Sequence, residues 1–301
     1  MSLVFDGLIL FLLIAFGIFL IELSSNTQRW NKTKKRVLFF ISSIIWLILF
    51  YGSFVEPRML VTYTVPITLS DNATTTLRAV VIADPHLGPY KKSAWIERVV
   101  QKIETLDPDI IFFLGDAIYN KGHQAFDLWP LASLNAPYGK YAITGNHDYL
   151  NGGIQSVKDM LSQTGFTVLE NEREQILVKE KSFTIIGIDD LWNGGNLTQA
   201  IDRSLPSEDL KILLSHNPEV VLYTSAREID FTISGHTHGG QIRLPWIGSV
   251  PSLPTLLGRF YDKGLFFVQD KPLFISAGIG ESGPRARLWN PPEISLLLIS
   301  F

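Results

Sequence analysis

Cysteine is absent from the 301 residues. That excludes disulfide staples and thiolate metal ligands alike. It leaves the redox compartment open, because a chain without thiols tolerates oxidising and reducing settings equally. An excess of basic residues is also missing: 26 Lys and Arg stand against 29 Asp and Glu, a formal net charge of −3. Nucleic acid is therefore not expected as the main partner. No internal repeat and no low-complexity stretch is present, so the chain is organised by ordinary packed elements. Oligomeric state leaves no mark on the sequence.

Charge is scarcest near the N-terminus. Residues 3–21 are almost wholly apolar with Asp6 the only charge, and residues 37–55 carry none. Each run is 19 residues long, close to the ~20 that cross a bilayer as a helix. A cleaved signal peptide has a basic stretch before its apolar run, and none stands here. Two transmembrane helices are expected, over about 3–21 and 37–55. Between them, residues 22–36 contain Arg29, Lys32, Lys34, Lys35 and Arg36, whereas only Arg58 shortly follows the second run. Positively charged short loops stay cytoplasmic. This places the loop inside, and Met1 and the rest of the chain outside, in the cell's inner membrane. Glu56-Pro57-Arg58 ends the membrane segment, so a 1–58 anchor precedes a 59–301 domain. The helices offer no polar residues suited to a conduit, which argues against a transporter or receptor.

The domain carries five short segments rich in metal donors: Asp84-Pro85-His86, Gly115-Asp116, Gly145-Asn146-His147-Asp148, Ser215-His216-Asn217 and Gly235-His236-Thr237-His238. Each follows an apolar, strand-like run: 80–83, 110–114, 141–143, 212–214 and 231–233. Such runs bounded by glycine read as buried strands, and in layered α/β folds ligands bind beyond the carboxyl ends of strands. Five of the six histidines lie in these segments, and His123 alone lies outside, as a loop residue. Two metals about 3.5–4 Å apart can activate a bridging hydroxide and clamp phosphoryl oxygens. Asp84, His86, Asp116, Asn146, His216, His236 and His238 supply seven oxygen and imidazole donors, or eight if Asp116 bridges. Asp84 with His86, and His236 with His238, would point the same way on extended backbone.

Elsewhere the patterning predicts strands at 61–69, 77–83, 183–188, 265–268, 273–276 and 294–299. Helices are expected from Ser93, as cap, to a stop before Pro108, over 153–163, and around 219–225. Asp189, Asp190 and Trp192 follow a strand and read as turn carboxylates beside a packing tryptophan.

The donor series resembles the calcineurin-like metallophosphoesterase superfamily, whose motifs run D-x-H, G-D, G-N-H-D/E, H and G-H-x-H. The match covers roughly 62–301. The resemblance implies a four-layer α/β sandwich of two mixed sheets flanked by helices. It also implies Asp84, His86, Asp116 and His238 on a first metal, and Asp116, Asn146, His216 and His236 on a second. His147 is then no ligand but a transition-state stabiliser or leaving-group acid, its ring oriented by Asp148. The segments 239–241, 282–287 and 290–293 resemble a membrane-associated or exported bacterial branch. Two departures stand out: Ala117-Ile118-Tyr119 follows Gly115-Asp116 where many members carry a second aspartate, and Ala83 replaces a common serine. Neither removes a ligand.

The expected activity is that of a membrane-anchored phosphodiesterase or phosphomonoesterase using a metal-bridging hydroxide, with manganese favoured and zinc or iron as alternatives. Arg243, Arg285 and Arg287 are candidates for bidentate phosphate contact. A lipid-linked pyrophosphate is the alternative substrate, as in similar bacterial enzymes acting on UDP-2,3-diacylglucosamine. That lipid is cytoplasmic, which the inferred orientation opposes. A partner-binding scaffold is the rival of another class; such members usually lose the histidine matched by His147 or a ligand, and none is missing here.

Overall fold

A computed structural model describes residues 2–25, 31–201, 209–224 and 229–301. Two helices open the chain, α1 (Ser2–Ser24) and α2 (Lys32–Phe50), and α2 continues as a π-helical turn over Tyr51–Val55 and a 3-10 turn over Glu56–Arg58. The strands β1 (Val61–Thr68), β2 (Thr76–Ile82), β3 (Ile110–Leu114), β4 (Lys140–Ile143), β5 (Thr167–Val168), β6 (Glu172–Val178) and β7 (Lys181–Gly187) come next. They are followed by β8 (Leu210–Leu214), β9 (Phe231–Ser234), the short pair β10 (Arg243–Leu244) and β11 (Gly248–Ser249), then β12 (Gly264–Val268), β13 (Lys271–Ile275) and β14 (Glu293–Ser300). Helix α3 (Ser93–Glu104) joins β2 to β3, and α4 (Ile154–Gln163) lies between β4 and β5.

Two six-stranded mixed sheets result, ordered β1-β14-β2-β3-β4-β5 and β12-β13-β9-β8-β7-β6. Their central strands run parallel, and β14 against β2, β12 against β13 and β6 against β7 are antiparallel. Strands buried on both faces read as continuous apolar runs because neither face meets water. Alternation still divides their side chains. Val80, Ile82, Ile111 and Phe113 pack beneath Ile96, Val99 and Ile103 of α3 and Val157 and Leu161 of α4. Their neighbours Ala79, Val81, Phe112 and Leu114 meet Phe183, Ile185, Ile212 and Phe231 of the other sheet. Beyond that sheet, Ile186, Leu213 and Ile275 are covered by Val220 and Val221. The expected four-layer sandwich is present. Truncating Phe112 to Ala, between the sheets, should cost about 3–5 kcal/mol.

Local expectations needed correction in three places. Ser93 does not cap α3 with its own oxygen; its backbone N and Oγ both donate to Asp127 Oδ1, at 3.0 and 2.6 Å. The helix expected around 219–225 is one 3-10 turn, Pro218–Leu222, with Ser225 outside the described residues; so short a segment makes too few bonds to offset nucleation. Strand β6 was not anticipated, because it is a sheet edge with Glu172, Glu174 and Gln175 turned to solvent.

The N-terminal helices pack on each other, with Trp46 Nε1 donating to Leu13 O at 3.1 Å. Their other faces are bare: Phe11 and Phe40 are 66% and 67% exposed, and Ile14 and Ile18 are similarly open. A hairpin buried inside a soluble domain would hide these side chains. Both helices are long and apolar enough to cross a membrane; α1, of 23 residues, measures about 35 Å at ~1.5 Å per residue, against a hydrocarbon core of ~30 Å. The basic stretch lies differently than expected. Asn31 caps α2 by accepting from Lys34 N at 2.7 Å, so Lys32, Lys34, Lys35 and Arg36 occupy its first turns. Arg29 lies outside the described residues.

Candidate metal centre

The five donor segments leave the carboxyl ends of β2, β3, β4, β8 and β9 and converge on one buried cluster. Asp84, His86, Asp116 and His238 form one buried group, and Asp116, His216 and His236 a second; within each, the ligand atoms lie inside 4.8 Å of one another. Asp116 belongs to both groups. Its Oδ2 lies 3.3 Å from His86 Nε2 and 3.4 Å from His216 Nε2. His86 Nε2 faces His238 Nε2 at 3.0 Å, and His216 Nε2 faces His236 Nδ1 at 3.0 Å and Asn146 Oδ1 at 3.2 Å.

The backbone achieves this convergence otherwise than by extended alternation. Asp84, His86, Asp116, His236 and His238 all have positive φ, between 44° and 69°. Each left-handed residue of this kind costs of order 1–3 kcal/mol, and five of them turn the chain sharply just past the strand ends. Close backbone approach does the rest. Gly115 at φ 85° abuts Gly145, and a Cβ on Gly145 would collide with the Asp116 carboxylate.

Burial sets the charge states. It pushes the His86 imidazole down to about 4, and His236 down to about 3 with the charge on His216 adding. His238 is held well below the usual histidine value by burial and by His86. These three rings are neutral, with lone pairs to offer. Burial disfavours charge on His216 too, but Asp116 and Asp84 outweigh it and lift the ring to about 10. For Asp116, burial is overcome by His216 and His86, which hold the carboxyl well below the usual range. Burial pushes Asp84 up to about 7, against the pull of His216. Among the described residues, neither Asp84 nor Asp116 pairs with a Lys or Arg. Two buried carboxyl groups and three neutral imidazoles, joined by His216 once it gives up its extra proton to an arriving cation, form a donor set that fits divalent cations.

His147 stands beside this cluster, its ring edge-on to His86 with centroids 4.5 Å apart. Its backbone N donates to Asp116 Oδ1 at 2.8 Å. The ring is oriented by Tyr119 and not by Asp148: Nδ1 donates to the Tyr119 carbonyl at 2.8 Å. A carbonyl only accepts, so Nδ1 carries a proton and Nε2 is the ring nitrogen left free to face the cavity. Asp148 serves the loop instead, accepting from Gly145 N at 2.9 Å and Ile118 N at 3.3 Å. His216 is fixed in the same manner, Nδ1 to Leu114 O at 2.8 Å.

A cavity of about 320 Å³ opens over Asp116, Asn146, His147, His236 and His238. Trp192 lines it and stacks edge-on against His236 at 4.7 Å, so it is a wall of the site as well as a packing residue. Asp190 accepts from Trp192 N and Asn193 Nδ2, at 3.0 and 2.7 Å, as a turn carboxylate should. His123 is exposed, away from the cluster.

The three arginines separate. Arg287 is not on the surface: it is wholly buried and donates to the carbonyls of Asn290, Ala277, Gly278 and Gly280. A guanidinium consumed by main-chain oxygens cannot reach substrate, so the phosphate role fails for Arg287. Arg243 pairs with Asp262 at 2.9 Å and lines a different recess. Arg285 lies 3.8 Å from Asp6 of α1 and over the rings of Phe54 and Tyr90.

Two residues that the sequence marks only as parts of the 290–293 segment and of the turn after the second apolar run support the site together. Asn290 Nδ2 donates to His238 O at 2.7 Å, and Asn290 N donates to Glu56 at the end of the membrane helix. Partners 234 positions apart have no local signature.

The profile of the calcineurin-like phosphoesterase family matches residues 77–240, a span that includes every donor segment. The chain belongs to this family. Metallophosphoesterase YkuE of Bacillus subtilis is 32% identical over 261 residues, covering 83% of this chain and 88% of that protein. UDP-2,3-diacylglucosamine pyrophosphatase LpxG of Chlamydia muridarum is 27% identical over 280 residues, covering 73% and 83%. A transmembrane protein with a metallophosphoesterase domain from Danio rerio is 26% identical over 259 residues, covering 81% of this chain and 58% of that one. The protein is a metal-dependent phosphoester hydrolase of a family that works with two metals.

Proposed function

We propose that the protein hydrolyses a lipid-linked phosphate ester or pyrophosphate at the surface of the membrane that holds its N-terminal hairpin. One observation carries this reading: the hairpin docks on the rim of the metal cavity. Arg285 and Tyr90 OH approach Asp6 of α1 at 3.8 and 3.4 Å. Arg287 N donates to Gly52 O beyond α2 at 2.8 Å. Ser282 and Pro284 of the same segment line the cavity. A site held so close to a bilayer meets lipid headgroups before it meets bulk solute. The likeness to LpxG, named for a lipid pyrophosphate, agrees with it.

In this reading Asp84, His86, Asp116 and His238 hold one divalent ion, and Asp116, Asn146, His216 and His236 the other. When bound, such a pair supplies an activated nucleophile and neutralises charge on the phosphoryl oxygens. Manganese suits the nitrogen and oxygen donors, with zinc or iron as alternatives. Asp116 sets the spacing of the two positions. His147, its Nδ1 proton engaged by Tyr119, presents Nε2 to the leaving oxygen and, in its doubly protonated form, donates a hydrogen bond or proton there, ending as the neutral ring. Trp192 screens the cavity from water on the His236 side. Of Arg243, Arg285 and Arg287, it is Arg285 that lies beside the rim, where it can meet a phosphate.

The test is turnover in reconstituted vesicles. A lipid phosphate or pyrophosphate in the same bilayer should exceed a soluble nitrophenyl ester in kcat/KM by about 10²-fold, since anchoring raises its effective concentration. Equal or slower turnover of every lipid-linked substrate would sink the proposal. Orientation is part of it: the basic residues between the two apolar runs favour a cytoplasmic loop, and with it a catalytic domain outside the cytoplasm. Alkaline phosphatase fused after Phe301 should then be active, and a fluorescent protein there dark. The reverse pattern would move the domain inside and make a cytoplasmic nucleotide-sugar lipid the leading substrate.

A further inference from the structure

The segment 244–260 supplies no metal donor, and its composition is unusual for a surface loop. Of its 17 residues only Arg259 is charged, and none is acidic. Trp246 is fully exposed, Phe260 and Leu256 are 75% and 73% exposed, and Ile247 and Val250 are about half so. Exposed apolar patches of this kind mark binding surfaces. Trp246, Phe260 and Trp289 share one recess of about 400 Å³ with Arg243 and Arg259. Both tryptophans have positive φ, 62° and 52°. A bulky residue in the left-handed region is an outlier, and here the strain holds two indoles outward.

The position of this patch identifies its partner. Arg243 N donates to Leu288 O at 2.9 Å, and Leu288 N to Gln241 O at 3.0 Å. The preceding residue, Arg287, donates to Gly52 O just beyond α2, and the following residue is Trp289. The aromatic recess therefore hangs from the stretch of chain that grips the exit of the membrane helix. The other side of the same segment faces the chemistry, because Pro251, Ser252 and Pro254 line the metal cavity.

We propose that segment 244–260, together with Trp289, is a second membrane contact, seated in the interfacial layer of the bilayer that the hairpin spans. Trp is the residue best suited to that layer, with an apolar ring and a polar N–H, and arginine next to it suits lipid phosphates. Two helices alone would leave the domain free to tilt. A third contact across the cavity fixes its mouth against the headgroups. The inference rests on the reading of the hairpin as membrane-spanning, and it deepens the lipid-substrate proposal.

The absence of cysteine makes the test clean. Trp246→Cys, Leu256→Cys and Phe260→Cys variants of the full chain, each labelled with an environment-sensitive fluorophore, are compared with Glu180→Cys on an exposed turn. All are placed in phosphatidylcholine–phosphatidylglycerol vesicles containing spin-labelled lipid, and turnover of a soluble nitrophenyl ester reports folding. The three loop labels should shift to the blue and be quenched several-fold more than the label at Glu180. Quenching no greater than at Glu180 in the variants that keep turnover would overturn the contact. Shielding that scales with protein concentration, and not with lipid, would assign the patch to a second copy and overturn it as well. Strong quenching in a protein without activity on any lipid phosphate would uphold the contact while sinking the lipid-substrate proposal.

Discussion

The metal cluster and the membrane hairpin invert each other's solvent logic. At the strand ends Asp84, Asp116 and His216 are buried with almost no contact to water, and burial itself moves their proton affinities. In the hairpin Phe11, Ile14 and Phe40 stand in the open, where no aqueous solvent would tolerate them. One region shuts water away from polar groups, and the other leaves apolar groups uncovered, as a bilayer would allow. The difference teaches that polarity is judged against a solvent, and that this chain is built for two. The two regions are also joined, because Glu56 accepts from Asn290 N and Asn290 holds His238 O.

The largest expected effect tests the cluster end of that contrast. Asp116→Asn should lose both metals and nearly all turnover while the fold persists, since Asn keeps the shape of a side chain placed beyond the core. Elemental analysis of purified protein decides it: two metals per chain with wild-type rate would remove Asp116 from the bridging position. Next, His147→Ala should keep both metals and lose about 10²–10⁴-fold in kcat, the usual contribution of a general acid. The loss should shrink on esters whose leaving group needs no proton; a lost metal would instead make His147 a ligand.

Smaller effects probe the joint between the regions. Glu56→Ala removes the acceptor of Asn290 N and should weaken metal binding by about tenfold, the low end for outer supports of a ligand. Glu56→Gln, which keeps an oxygen there, should restore most of it in a competition titration with a chelator. Indifference of metal affinity to both would mean that the hairpin is only a tether. The smallest effect belongs to the lipid face. Phe11→Ala and Phe40→Ala should leave kcat on a soluble ester within about twofold, as exposed substitutions do. A larger drop would show that those faces pack on protein.

Much of this was legible in the chain, and the limits are physical. β3 was marked to the residue, because five consecutive apolar side chains between glycine and a turn admit few other readings. The clustering of Asp84, His86, Asp116, His216, His236 and His238 was legible because these residue types recur just past strand-like runs. β6 was not, since an edge strand shows solvent a polar face. The burial of Arg287 was not, because the pattern of residues does not say that the chain three to ten positions away will curl its carbonyls around the guanidinium.

The sequence by itself determined two apolar runs long enough to cross a bilayer, the strands that alternate between two cores, and the Asp and His side chains at their ends. Those are properties of composition and period, fixed residue by residue. Only the tertiary structure decided that left-handed backbone aims the donors, that Tyr119 and not Asp148 holds His147, and that the hairpin leans on the rim of the cavity. Each of those depends on groups distant in the chain meeting in space, and no local pattern encodes such a meeting.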